Sequence, residues 1–149
     1  MKQELLKNID LNGKGVKVGI VISEFNYEIG EQLLEFTKKE LNELNADISK
    51  IIHVPGALEI PIATQKLIKK HHVDVIIALG VVIRGETDHY EHVSRESTHA
   101  ITKLSLKYKT PIIQGIITAP SKDLAKARTE RGIEYARSAV QMVHTLKNI

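Results

Sequence analysis

Four times along this chain a short run dense in Val and Ile gives way to a longer amphipathic segment. This alternation narrows the choice of fold more than any other feature. Residues 16–23, VKVGIVIS, lead into 27–44, and 47–54, DISKIIHV, lead through PGALE into 60–72. Residues 73–83, VDVIIALGVVI, lead into 89–108, and 110–118, TPIIQGIIT, lead into 122–148. The apolar runs are nearly continuous, as in strands covered on both faces. The segments between them carry apolar residues at helical spacing, Leu33, Leu34, Leu41 and Leu44 among them. Four such units predict an α/β chain: a three-layer α/β/α sandwich around a four-stranded parallel sheet with right-handed crossovers.

A chain of 149 residues is long enough for one domain with a substantial core, and no linker, repeat or charge block divides it. We therefore expect a single domain over 1–149, with residues 1–15 as an N-terminal extension. Lys and Arg outnumber Asp and Glu by only 21 to 18, and the two signs are interleaved. Aromatic residues reach 4%, too few for a platform on which nucleic-acid bases stack. The absence of Cys excludes disulfides, thiolate nucleophiles and sulfur-ligated metals, and fits a reducing compartment. The N-terminus, MKQELLKNIDLNGKG, lacks the apolar stretch of a signal peptide, and no apolar run reaches the roughly 18 residues of a membrane span. The expectation is a cytoplasmic protein that engages neither nucleic acid nor membrane.

In an open parallel sheet, ligands bind beyond the carboxyl ends of the strands. Four segments fall there, residues 23–26, 55–59, 84–89 and 118–121, and all four are rich in site-like residues. In SEFN, Phe25 either stacks on a planar ligand or plugs the sheet end while Asn26 caps the helix. In VPGALEIP, Gly56 permits close backbone approach. Glu59 falls at a helix start, where its charge suits the dipole and its oxygens can accept from ligand hydroxyls. In RGETDH, the amides around Gly85, Glu86 and Thr87 at a helix N-terminus form a candidate anion cradle, with His89 as the proton carrier. The cradle matches neither a P-loop nor a dinucleotide-binding turn.

Other pairings carry less. Glu86 and His89 have half of a di-iron spacing, but the remaining carboxylates of a bundle are missing. His89 and His92 lack a third ligand, so no metal is expected. No G-x-S-x-G elbow frames a serine. Arg128 and Arg131 are three apart, and would share a face if helix runs through them; guanidinium groups there would suit phosphate, or simply form a solvated basic face.

Taken in order and spacing, SEFN, VPGALEIP, GVVIRGETDHYEHV and PIIQGIIT resemble the 6,7-dimethyl-8-ribityllumazine synthase family, over roughly residues 14–145. The resemblance implies flavodoxin-like layering and the penultimate step of riboflavin biosynthesis. In that step 5-amino-6-(D-ribitylamino)uracil condenses with 3,4-dihydroxy-2-butanone 4-phosphate, and phosphate and water leave. It further implies a homo-oligomer, a pentamer or an assembly of pentamers, with sites shared between subunits and no metal or organic cofactor.

By motif position the resemblance assigns Phe25 to stacking on the pyrimidine, and Ala57, Leu58 and Glu59 to the ribityl chain. Val81, Val82 and Ile83 would meet the pyrimidine edge through backbone groups. Gly85, Glu86 and Thr87 would bind the butanone phosphate with Arg128, and His89 would transfer protons. Gln114 would reach the pyrimidine of a neighbour's site. The chain departs from the family pattern at Gln114, where many relatives carry Phe. It departs again at Arg131-Gly132, where a Lys-Gly is usual after a longer loop, so Arg131 stands as a second candidate cation. Two rivals remain: a non-catalytic paralogue that retains flavin or lumazine, and a flavodoxin-like or receiver-type signalling domain. The latter needs a phosphate loop or an aspartate cluster that the first-strand loop does not provide.

Overall fold

The computed structural model describes residues 11–149; of the expected N-terminal extension, residues 1–10 lie outside the described residues. Four strands form one parallel sheet: β1 (Lys17–Ser23), β2 (Asp47–Val54), β3 (Val75–Ile83) and β4 (Ile112–Ala119), in the order β2-β1-β3-β4. The helices are α1 (Tyr27–Glu43), α2 (Ile60–Lys70), α3 (His89–Tyr108), α4 (Lys122–Ala127) and α5 (Arg131–Lys147). A 3-10 turn, Ala57–Glu59, leads into α2. The chain steps outward from β1 to β2, then returns across β1 to β3 and continues to β4. The reversal makes the β1/β3 boundary the switch point of the sheet, where such folds open a crevice.

Strand alternation explains the two layers. Val18, Ile20 and Ile22 of β1 with Val75, Ile77 and Leu79 of β3 face one side, and are covered by Leu33, Leu34 and Leu41 of α1 and Ala136, Ala139 and Val140 of α5. Val21, Ile76 and Ala78 face the other side, against Ile60 and Leu67 of α2 and Ile101 of α3. Both faces of the central strands are therefore dry, as the continuous Val/Ile runs require. The α1/α5 layer is the heavier one, and its two helices approach closely. A Cβ built on Gly132 would lie 2.7 Å from Leu33 O and from Thr37 Oγ1, and 2.9 Å from Thr37 N, so only a residue without a side chain fits there.

The segment 122–148 is not one helix. It breaks at Arg128–Glu130, and the expectation that Arg128 and Arg131 share a helical face does not hold: Arg128 caps the C-terminus of α4 while Arg131 opens α5. The bonds Arg131 N to Arg128 O and Gly132 N to Thr129 O span three residues, and buried Thr129 turns its hydroxyl back onto Lys126 O. These local bonds satisfy the turn without a continuing α-helix. Among the described residues no helix is long and apolar enough to cross a membrane.

Candidate active site

A cavity of about 380 Å³ opens at the carboxyl ends of β1 and β3, beside the turn after β2. Three loops wall it, one from each strand.

The first loop begins at Ser23. Glu24 N still donates to Val54 O at 2.7 Å, holding the loop to the end of β2. Phe25 then turns out of the core and remains 72% exposed, so the ring does not plug the sheet. Asn26 occupies the N-cap position of α1 without capping it through its side chain. Its carbonyl accepts from Ile29 N and Gly30 N, and its Nδ2 instead donates to Val81 O at 2.9 Å.

The second loop, Pro55 to Glu59, tightens into the 3-10 turn. Pro61 early in α2 fits the first helical turn, where a missing N–H is harmless. Glu59 sits at the N-cap position of α2 but caps nothing with its side chain, and it is exposed. Its carboxylate is thus available to a ligand. A Cβ built on Gly56 would lie 3.2 Å from Glu59 Oε1 and 3.9 Å from Phe25 Cδ2. The carboxylate and the aromatic edge therefore flank one bare stretch of backbone.

The third loop leaves β3 after Ile83. Arg84 N donates to Ala119 O at 2.9 Å, which keeps the loop tied to β4, and residues 85–88 then run exposed to the start of α3. His89 opens that helix, and its backbone N–H donates to Thr87 Oγ1 at 3.3 Å. The His89 side chain is exposed at the cavity wall. Gly85 and Thr87, just ahead of the start of a 20-residue helix, line the same space, at the helix end whose dipole favours an anion. Tyr90, half-buried, lines the wall behind it, with the Arg84 guanidinium carbon 5.8 Å from its ring centroid.

Of the residues expected from sequence, Phe25, Ala57, Leu58, Glu59, Val81, Val82, Ile83, Gly85, Thr87 and His89 all line this cavity. Four do not. Glu86 is exposed and stands outside the lining set. Gln114 lies on edge strand β4 and donates from Nε2 to Thr98 Oγ1 at 3.1 Å. Arg128 donates from Nη1 to Thr118 O at 2.6 Å, beside a Ser94–Thr118 hydroxyl contact of 3.0 Å. Arg131 is exposed at the head of α5, its guanidinium near the Tyr135 phenol. For Gln114 and Arg128 the physical reason is strand order, since they belong to β4 and the short helix after it, across β3 from β1; Arg131 instead heads α5, in the α1/α5 layer that covers the other face of the sheet. Tyr90 and Val93 are lining residues not expected from sequence; the signal for Val93 was its place four residues after His89, one helical turn on, whereas Tyr90 had no such spacing.

The family model for 6,7-dimethyl-8-ribityllumazine synthase matches residues 15–147. The chain belongs to that family. A 6,7-dimethyl-8-ribityllumazine synthase of Azoarcus sp. strain BH72 is 47% identical over 141 residues, 93% of this chain and 90% of the relative. Those of Nitrosomonas europaea (44%, covering 91% of this chain and 84% of the relative) and Cupriavidus necator (43%, 91% and 83%) are similarly close. The lumazine synthase match begins two residues before β1 and ends on the last residue of α5, so every strand and helix among the described residues falls within it.

Proposed function

We propose that the cavity is the condensing site of a lumazine synthase, its three loops dividing the work of holding two substrates and moving protons between them. The chain is an enzyme of riboflavin biosynthesis. It condenses 5-amino-6-(D-ribitylamino)uracil with 3,4-dihydroxy-2-butanone 4-phosphate to 6,7-dimethyl-8-ribityllumazine, with loss of phosphate and water. The observation that carries the site assignment is the convergence of an exposed aromatic ring, an uncommitted carboxylate and a helix-opening histidine on one cavity.

The exposed face of Phe25 suits stacking on the pyrimidine. Glu59 accepts from ribityl hydroxyls, with Ala57 and Leu58 as the wall alongside, and the β3 end from Val81 to Ile83 offers backbone groups to the pyrimidine edge. Gly85 and Thr87 at the N-terminus of α3 hold the phosphate, with Glu86 contributing through its backbone. His89 moves protons as the amine adds to the ketone, as phosphate leaves and as the ring closes. Both substrates are intrinsically reactive, so holding them in register supplies much of the acceleration, up to about 7–11 kcal/mol for a well-aligned pair. A proton shuttle adds about 10²- to 10⁴-fold. This chemistry calls for no metal or organic cofactor.

Gln114, Arg128 and Arg131 stand outside the cavity of their own chain, which supports a site shared between copies. In that arrangement the β4 side of one subunit completes the cavity of the next with Gln114 and a phosphate-binding Arg128 or Arg131. Exposed apolar Ile62 and Leu106, on α2 and α3, offer surface for such contact. The assembly is a homo-oligomer, a pentamer or pentamers combined, working in the cytoplasm.

The test mixes purified protein with both substrates, follows lumazine fluorescence against the uncatalysed rate, and sizes the active species in solution. No rate above background would sink the enzymatic reading in favour of a non-catalytic binding paralogue. Full turnover by a monomer would sink the shared site alone.

A further inference from the structure

Among the described residues three non-glycine positions adopt left-handed backbone: Asn26, Asn45 and Lys109. Asn45 and Lys109 follow helix C-termini, where that conformation ordinarily stops a helix. Asn26, at φ 58° and ψ 48°, instead precedes a helix, where the N-cap residue normally has extended backbone and its side chain binds the helix amides. Strain of this kind persists only where the surroundings enforce it. Beyond the local bonds from Ile29 N and Gly30 N to its carbonyl, Asn26 makes one long-range bond. The β1–β3 ladder ends at Ile22 opposite Leu79, and beyond it Val81 O receives the Asn26 amide at 2.9 Å, across 55 residues of sequence.

We propose that Asn26 is a positioning residue for the pyrimidine slot, tying the Phe25 wall to the β3 wall at a fixed spacing. This role rests on the cavity being the condensing site. The left-handed turn directs Phe25 outward over the cavity, and the amide bond stops the SEFN loop from swinging away from Val81, Val82 and Ile83. A flat heteroaromatic ring gains from two walls only when their separation is preset, because ordering a loose loop on binding would consume part of the stacking energy. Asparagine meets both demands at once: it tolerates left-handed backbone and its short side chain carries a donor.

Asn26→Gly keeps the backbone conformation accessible and removes the donor; Asn26→Asp keeps the shape and replaces the donor with an acceptor. Product lumazine is titrated onto each variant by its fluorescence, and KM is measured for both substrates. The expected result is a five- to tenfold loss of lumazine affinity and a matching rise in KM for the uracil, with KM for the butanone phosphate within twofold and kcat little changed. In a Phe25→Ala background Asn26→Gly should cost nothing further in lumazine affinity, since the wall it positions is gone; a merely structural role would leave the two effects additive. Unchanged affinity in both variants, or equal losses for both substrates, overturns the role of Asn26. A wild-type protein that neither binds lumazine nor turns over would instead overturn the assignment of the site itself, so the two failures are distinct.

Discussion

Phe25→Ala separates ligand binding from folding more cleanly than any other change to this site. The ring is 72% exposed, so its removal should alter the unfolding free energy by no more than about 0.5 kcal/mol. Taking a phenylalanine side chain as about 200 Å², roughly 140 Å² is left in solvent. Stacking on a planar ligand would cover one face, about half of that. At about 25 cal/mol per Å² the covered area is worth about 1.8 kcal/mol. Ring–ring geometry adds about 0.5–1.5 kcal/mol. Some of this is offset by ordering on binding, leaving about 2–3 kcal/mol, a 30- to 150-fold weakening. Equilibrium titration with product lumazine reads it directly, beside KM for each substrate and a urea unfolding curve. The uracil and lumazine should weaken while the butanone phosphate does not. A loss under threefold, or one that falls equally on both substrates, would refute the stacking role of Phe25.

His89→Ala should lower kcat by about 10²-fold or more with substrate KM values within threefold, and an unchanged kcat would remove His89 from proton transfer. Arg128→Ala should raise KM for the phosphorylated substrate by about 10- to 100-fold, as loss of a charged hydrogen bond implies; if Arg131→Ala has that effect instead, Arg131 is the phosphate ligand. Gly132→Ala forces a methyl against Leu33 and Thr37 backbone, and should destabilise by about 1–3 kcal/mol, seen as a lower urea midpoint. Burial raises the Tyr135 phenol above its usual value of 10.0, opposed by the Arg131 guanidinium beside it. Because the folded state holds that proton more tightly, stability is full below about pH 10 and declines as pH rises through the elevated folded value. Tyr135→Phe should remove that part of the alkaline decline; an identical pH profile would show that Tyr135 does not report on folding.

The strands and helices were legible in the sequence because period and composition agree: 47–54 and 89–108 coincide with β2 and α3. The lining of the cavity was legible wherever a residue lies between a strand end and the opening of the next helix, as Phe25, Glu59 and His89 do. The features that eluded the sequence are set by long-range geometry or by balanced local choices. The break at Arg128–Glu130 contains neither Gly nor Pro, and the apolar rhythm continues through it; only the Thr129 hydroxyl and three-residue bonds mark it. Asn26 reads as an ordinary cap, since nothing local announces a partner 55 residues away. Whether Phe25 faces inward or outward depends on that same distant carbonyl. Arg128 was expected beside the Gly85–Thr87 loop, and strand order put it across β3; Gln114, expected to reach a neighbour's site, also lies on that side.

The sheet is ballasted unevenly, and the cavity overlies its lighter side: Ala57, Val82 and Val93, which belong to the layer of α2 and α3, help to form it. Mild urea should therefore silence catalysis while most of the far-ultraviolet ellipticity still stands, the slab under α1 and α5 outlasting the part that meets substrate.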